Sequence, residues 1–176
     1  MTRIIAGEWR GHSLPRLSTG TVRPTTDRAR TVLFDTLRDV TGFRVLDLYS
    51  GTGALGFEAL SRGAKSVVSI DYDRKYIQEQ KSWIKDRNRS FRAYHGDVEK
   101  VLKRLDGPFE LIFADPPYDS QISDTIQRLV EGKIVSGGIF VYERDKKSDS
   151  PFESDIFKLV KEKIVAQTKL EIYKAQ

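Results

Sequence analysis

The alternation of short apolar segments with helical patterns after Phe43 constrains the fold more than any other feature of the sequence. Strands separated by helices are typical of a doubly wound, mostly parallel sheet. The predicted strands are Val45 to Tyr49, Ser66 to Ile70, Phe91 to His95, Leu111 to Ala114 and Gly138 to Glu143, followed by a terminal antiparallel hairpin around Lys163 to Gln167 and Leu170 to Tyr173. The sequence therefore predicts an α/β fold with a doubly wound, mostly parallel seven-stranded sheet.

The chain divides into a small N-terminal extension and one domain. Residues 1–24 contain short apolar pieces broken by glycine and proline, a pattern that indicates an extended or hairpin-like segment rather than a second core. Residues 25–176 form the domain, which begins with an amphipathic helix predicted over residues 26–40. Residues 144–155 are polar and are predicted to form a loop.

The turn Gly51-Thr52-Gly53-Ala54-Leu55-Gly56 joins the first predicted strand to a helix. Its G-x-G-x-x-G spacing lets the backbone turn sharply and approach a ligand closely. Asp71 follows Gly51 by twenty residues, at the end of the next strand, where an acid binds ribose hydroxyls. By pattern alone this turn could hold a dinucleotide. Asp47, however, puts a carboxylate where a pyrophosphate would lie, which favours a ligand with an ammonium group.

S-adenosyl-L-methionine fits these demands because it carries a cationic amino-acid end, a ribose and an adenine. We expect Asp47 and the backbone of Gly51 to Gly53 near the amino-acid end, and Asp71 at the ribose. Asp97, after the third strand, is placed for the adenine amine, with the Val98 backbone as a second contact. Asp97 also suits a plain helix cap, and the two roles are compatible.

The fourth predicted strand stops abruptly at Asp115-Pro116-Pro117-Tyr118. Ligands of open parallel sheets bind beyond the carboxyl ends of the strands, which is where these residues lie. The prolines stiffen the segment and leave nearby carbonyls without sheet partners. Acceptors beside an aromatic ring suit a planar amino group such as the exocyclic amine of a nucleobase. The alternative is a strand that merely ends in a Pro-Pro turn.

The net charge of +5 is unevenly distributed. Residues 1–44 carry eight arginines, no lysine and four acids, whereas residues 45–176 carry twenty-two basic and twenty-one acidic groups. Arginine suits bidentate phosphate contacts, so the N-terminal segment is predicted to face nucleic acid. The candidate RNA contacts are Arg3, Arg10, Arg23, Arg28 and Arg30, and solvated surface charge is the alternative for each of them.

Composition also restricts the compartment and the partners. The chain has no cysteine, which excludes disulfides and thiolate metal sites, and two isolated histidines, His12 and His95, make no metal site. The N-terminus lacks the apolar core of a signal peptide, and no apolar run approaches membrane-spanning length. We therefore expect a cytoplasmic monomer that binds neither metal nor membrane.

The chain resembles class I methyltransferases that act on exocyclic amines, because it contains four of their motifs in the same order. They are D-L-Y-S-G-T-G (47–53), I-D-Y-D (70–73), G-D (96–97) and D-P-P-Y (115–118). Four further strings are similar to the bacterial 16S ribosomal RNA guanine-N2 methyltransferase D family. They are R-I-I-A-G-E-W-R-G (3–11), R-P-T-T-D-R-A-R (23–30), G-A-L-G-F-E-A-L-S-R-G-A (53–64) and Q-T-K-L-E-I-Y (167–173).

This resemblance implies a Rossmann-like fold and S-adenosylmethionine-dependent methylation of one guanine N2 amine in small-subunit RNA, either naked or in an assembling particle. Asp115 and the Pro116 carbonyl would accept hydrogen bonds from the target amine, Pro117 would stiffen the segment, and Tyr118 would stack on the base.

Three rival functions remain open. An adenine-N6 methyltransferase acting on DNA or RNA shares the D-P-P-Y motif, but the chain has no obvious added domain for reading DNA sequence. A NAD-dependent dehydrogenase is disfavoured by Asp47. A non-catalytic RNA-binding module would explain the arginines but not the four motifs.

Overall fold

The computed structural model describes residues 2–15, 26–117, 122–148 and 152–176, and its centre is one seven-stranded sheet. The strands are β1 (Arg44–Leu48), β2 (Ser66–Asp71), β3 (Ser90–His95), β4 (Phe109–Ala114), β5 (Ile134–Asp145), β6 (Phe157–Val165) and β7 (Thr168–Ala175). Their order is β3-β2-β1-β4-β5-β7-β6. The first five strands pair in parallel, whereas β7 pairs antiparallel with both β5 and β6. The predicted fold class, including the antiparallel hairpin, is confirmed.

Helices cover both faces of this sheet. They are α1 (Asp27–Leu37), α2 (Ala54–Ser61), α3 (Arg74–Ile84), α4 (Val98–Leu102) and α5 (Asp124–Glu131). Helices α1 and α2 pack with alternate strand residues into one core, and α4 and α5 pack with the other strand residues into a second core. Because the central strands are buried on both faces, they read as continuous apolar runs in the sequence.

The hairpin-like prediction for the N-terminal segment agrees with the structure over residues 2–15. Arg3 and Ser13 form an antiparallel bridge, and the side chains of Ile4, Trp9 and Leu14 are buried in the core beneath α1 and α2. This N-terminal hairpin (residues 2–15) therefore packs directly on the domain. The predicted boundary at residue 24 lies outside the described residues.

Glu58, a fully buried acid on α2, helps to hold the N-terminal hairpin. Its carboxylate accepts hydrogen bonds from the backbone N–H groups of Ile5 (2.8 Å) and Ala6 (3.0 Å). Gly7 then passes so close to the end of α2 that a Cβ atom at this position would lie 1.9 Å from the carbonyl oxygen of Ser61. The hairpin and α2 are thus in direct backbone contact.

The last three strands are longer than predicted. β5 runs from Ile134 to Asp145, so the first residues of the predicted 144–155 loop still belong to a strand. β6 begins at Phe157 instead of Lys163, and its exposed lysines obscure the apolar pattern of a strand. Since β6 pairs only with β7, it is an edge strand, where charged residues are common.

Candidate active site

Four predicted site carboxylates lie at or just beyond the carboxyl ends of the parallel strands β1 to β4. Asp47 lies in β1, Asp71 ends β2, Asp97 precedes α4, and Asp115 follows β4. The strands are in register, with Leu48 of β1 opposite both Ile70 and Ala114. The carboxyl end of β1 therefore lies between the ends of β2 and β4, so that Asp71 and Asp115 flank the strand that carries Asp47.

Asp47 is almost completely buried beneath the glycine turn. Its Oδ2 accepts a hydrogen bond from the backbone N–H of Gly56 at 3.0 Å, which ties the start of α2 to β1. Burial raises the pKa of the Asp47 carboxyl to about 8, and the nearby charges of Asp115 and Asp71 contribute in the same direction. A cation near this crevice would favour the ionised form.

Asp71 holds the glycine turn from the neighbouring strand. Its Oδ2 accepts a hydrogen bond from the Gly51 N–H at 2.7 Å, and its Oδ1 accepts one from the Asp73 N–H, also at 2.7 Å. Burial raises the pKa of this carboxyl, partly offset by those two hydrogen bonds. Each carboxylate oxygen has two lone pairs, so the oxygens retain the capacity to accept from ribose hydroxyls.

The turn itself presents backbone towards open space. Nothing lies within 4 Å of the position that a Cβ would take at Gly51. Gly53 has φ +78°, and a Cβ there would meet the Phe57 ring at 2.8 Å, so this position requires glycine. Thr52 lies between them and is half-buried. The contacts of this turn and its neighbouring acids with S-adenosylmethionine stay predictions.

Asp97 caps α4, as predicted. Its Oδ1 accepts a hydrogen bond from the Lys100 N–H at 3.0 Å, while Val98, the first residue of the helix, is buried. The cap is therefore established, and the contact of Asp97 and Val98 with an adenine stays a prediction.

The segment after β4 lies next to the end of β1. The Asp115 N–H points to the Leu48 carbonyl oxygen at 3.5 Å, which continues the β1–β4 pairing to the end of the strand. Pro116 is buried and Pro117 is exposed, whereas Tyr118 lies outside the described residues. The roles of these four residues in catalysis stay predictions.

Two residues that sequence analysis did not assign also shape the crevice. Gln80 of α3 is fully buried and donates hydrogen bonds from Nε2 to the Gly51 carbonyl (2.7 Å) and to Ser50 Oγ (2.9 Å). Tyr49 has φ +58°, and burial raises its pKa to about 12, with Tyr142 and Asp97 as electrostatic neighbours. In the sequence, Gln80 can be recognised as a candidate because it is a polar residue on the apolar face of α3.

The predicted RNA-contacting arginines have different environments. Arg3, Arg10 and Arg28 are exposed, and Arg23 lies outside the described residues. Arg30 is fully buried: its Nη2 donates to the Arg3 carbonyl oxygen and to Asp27 Oδ1, both at 2.7 Å. The interpretation of Arg30 as an RNA contact is wrong, because its guanidinium stabilises the packing of the N-terminal hairpin.

The described part of the chain holds neither a metal-ligand cluster nor a membrane-spanning helix. Its residues contain no group of three or more histidine, aspartate or glutamate side chains that could hold a metal ion. None of its helices is long and apolar enough to cross a membrane.

Several known proteins with similar sequence and structure are named as methyltransferases. The family model described as "Conserved hypothetical protein 95" matches residues 2–174. The ribosomal RNA small subunit methyltransferase D of Escherichia coli is 31% identical, and the alignment covers 99% of this chain and 90% of that protein. The solved structure of the Escherichia coli protein yhhF, named as a methyltransferase, has a TM-score of 0.86 and 30% identity, with 99% of this chain and 98% of that chain covered.

A more distant structure shares the fold. SMU.776, named as a methyltransferase and solved in complex with SAH, has a TM-score of 0.66 and 15% identity, and the match covers 84% of this chain and 48% of that chain.

Proposed function

Because the chain belongs to the ribosomal RNA small subunit methyltransferase D family, we propose that it methylates the exocyclic N2 amine of one guanine in small-subunit ribosomal RNA. The observation that supports this proposal is that Asp115 directly follows β4, next to the end of β1, while Asp71 ends the strand on the other side of β1. A methyl donor and an amine acceptor bound at this crevice would be in reach of each other.

The enzyme uses S-adenosyl-L-methionine, which supplies an activated methyl group. The backbone of Gly51 to Gly53 and the Asp47 carboxylate would hold its amino-acid end, and Asp71 would accept hydrogen bonds from its ribose hydroxyls. Asp97 and the Val98 N–H would bind the adenine. Asp47 favours a cationic ligand because a positive charge relieves the cost of ionising a buried carboxyl.

Asp115 and the Pro116 carbonyl would orient the target amine. The lone pair of a guanine amine is delocalised into the ring, so the amine is a weak nucleophile. Two acceptors that bind its hydrogens favour a pyramidal nitrogen and aim its lone pair at the methyl carbon. Asp115 would take up the proton as the new C–N bond forms, and Tyr118 would stack on the base after it leaves the RNA helix.

The RNA would contact the N-terminal hairpin and the start of α1. Arg3, Arg10 and Arg28 are exposed there, and Arg23 belongs to the same arginine-rich part of the sequence. We propose that the enzyme acts as a monomer in the cytoplasm on naked RNA or on an assembling small-subunit particle.

One assay tests this proposal. Labelled S-adenosylmethionine is incubated with the enzyme and with unmodified small-subunit particles, free small-subunit RNA or DNA, and the methylated nucleoside is identified after digestion. We expect N2-methylguanosine from the particle or the RNA and no label in DNA. N6-methyladenosine, or N6-methyladenine from DNA, would instead support the adenine-specific rival that shares the D-P-P-Y motif.

A further inference from the structure

A groove of about 540 Å³ lies between the second half of α1 and the strands β5, β7 and β6. Four cationic side chains line it: Arg38, Lys161, Lys163 and Lys174. Its apolar lining includes Ile139, Val160 and Ile172. The basic groove, as defined by these seven residues, is on the sheet face that α1 and α2 cover.

The charge of the basic groove is not balanced locally. Asp35 is the acid among its lining residues. Within residues 2–15, 26–117, 122–148 and 152–176, the four cations form no ion pair with a carboxylate within 4.0 Å. Four cations that converge with a single acid beside them repel each other, and this repulsion is relieved when a polyanion binds.

Protection of a sheet edge does not explain this arrangement. Lysines on an edge strand oppose pairing with other chains, which could account for Lys161 and Lys163 on β6. Lys174, however, belongs to β7, which is paired on both sides, and Arg38 directly follows α1. The fold therefore gathers cations from three separate elements around one groove.

We propose that the basic groove binds the sugar–phosphate backbone of the RNA substrate. This inference rests on the proposed function and adds a second contact surface to the N-terminal arginines. Lys161 and Lys163 are two residues apart on one strand, about 6.6 Å, which is close to the separation of successive phosphates in an RNA strand. The apolar lining between the cations can accommodate riboses.

The basic groove lies away from the catalytic crevice. Gly137 and Ile139, in the first half of β5, line it, whereas the crevice is at the carboxyl ends of the parallel strands. It therefore contributes to RNA affinity and not to methyl transfer. Its loss should raise KM for RNA while kcat and S-adenosylmethionine affinity stay unchanged.

The test compares two variants that each remove three positive charges. The first is Lys161→Gln/Lys163→Gln/Lys174→Gln, and the matched control is Lys100→Gln/Lys103→Gln/Arg104→Gln. The control residues are exposed on and just after α4, which packs on the opposite sheet face. Thermal unfolding of both variants verifies that they fold.

For the first variant we expect KM for small-subunit particles and for naked RNA to rise about 10-fold at moderate salt. The slope of log affinity against log salt should also fall by about 2 to 3, since each lost phosphate contact removes roughly 0.7 to 0.9. For the control we expect values close to those of the unsubstituted enzyme.

Three results would overturn the inference. The first is an unchanged KM in the groove variant, and the second is an equal rise in the control, which would reveal a general charge effect. The third is a rise on particles without one on naked RNA, which would identify an acidic protein as the occupant. If the unsubstituted enzyme forms no N2-methylguanosine, the proposed function fails instead.

Discussion

The Oδ2 atom of Asp71 lies 2.7 Å from the backbone nitrogen of Gly51 and accepts its hydrogen bond. This bond joins the end of β2 to the turn that follows β1, across neighbouring strands. Since Asp71 Oδ1 also accepts from the Asp73 N–H, one side chain sets the backbone on both sides of the proposed ribose site.

We predict that Asp71→Asn weakens S-adenosylmethionine binding about 10-fold or more. An amide presents one NH₂ group, so either the Gly51 or the Asp73 N–H loses its acceptor, and an unsatisfied buried donor costs about 1–3 kcal/mol. Isothermal titration calorimetry measures the change. Asp106→Asn, at an exposed acid, is the control, and equal affinities for the two variants would contradict the role of Asp71.

Asp115→Asn should lower kcat by about 100-fold or more while S-adenosylmethionine affinity stays nearly unchanged. The amide keeps an acceptor oxygen but cannot take up the proton that the amine loses, and general-base catalysis typically contributes about 10²–10⁴-fold. Single-turnover methyl transfer and calorimetry separate the two effects. A parallel loss of cofactor affinity would show that Asp115 belongs to the cofactor site instead.

The raised pKa of Asp47 predicts a pH-dependent stability of the cofactor-free protein. Because burial raises this pKa from 3.8 to about 8, the folded state binds more protons than the unfolded state between these values. The contribution of the Asp47 carboxyl to the free energy of unfolding is therefore fully present at low pH and falls as pH rises from about 4 to 8. In Asp47→Asn, we expect the unfolding free energy to depend less on pH across this window, as measured by urea titrations. An equally steep decline would assign the effect to other groups.

The raised pKa of Asp47 also predicts that the enzyme releases a proton when S-adenosylmethionine binds at pH 7. A cationic ligand end favours ionised Asp47, so calorimetry in buffers of different ionisation enthalpy should show the loss of a proton from the enzyme. Asp47→Asn should abolish this release. A release of equal size in the variant would exclude Asp47 as its source.

Gly7→Ala should detach the N-terminal hairpin, and Gly11→Ala is its matched control. Both glycines have positive φ (+84° and +83°), so each substitution incurs about 1–2 kcal/mol of backbone strain. Only at Gly7 would the new Cβ meet Ser61, which adds roughly 1–3 kcal/mol of overpacking. Urea unfolding and RNA binding measure the difference. Equal losses of unfolding free energy and RNA affinity in both variants would mean that close packing at Gly7 is unimportant.

The central sheet could be predicted because its strands are buried on both faces and their sequences are continuously apolar. β6 could be predicted only in part, since five lysines and two glutamates between Phe157 and Ala175 make the hairpin resemble a polar surface. The positions of the four aspartates at the ends of parallel strands could be predicted from their order in the chain, because parallel strands all end at the same edge. Their joint role in one site stays a prediction.

Other features depend on contacts between distant parts of the chain. Arg30 resembles a surface residue of an amphipathic helix until α2 brings Glu58 to 3.8 Å from its guanidinium. In the sequence, the single acid Glu58 within the mostly apolar α2 indicates a buried carboxylate that could pair with an arginine such as Arg30. The basic groove was hidden for the same reason, because residues 45–176 are nearly neutral overall and only folding collects their lysines.

The backbone contact between Gly7 and Ser61 also has a geometric consequence. A hairpin seated this tightly on α2 is not a tethered arm, so the fold fixes the distance from Arg10 to the glycine turn at the other end of the same helix. An RNA loop that contacts both Arg10 and the glycine turn could bind in a single alignment. The nucleotides next to the target guanine would then be too near to the catalytic crevice, or too far from it, to react.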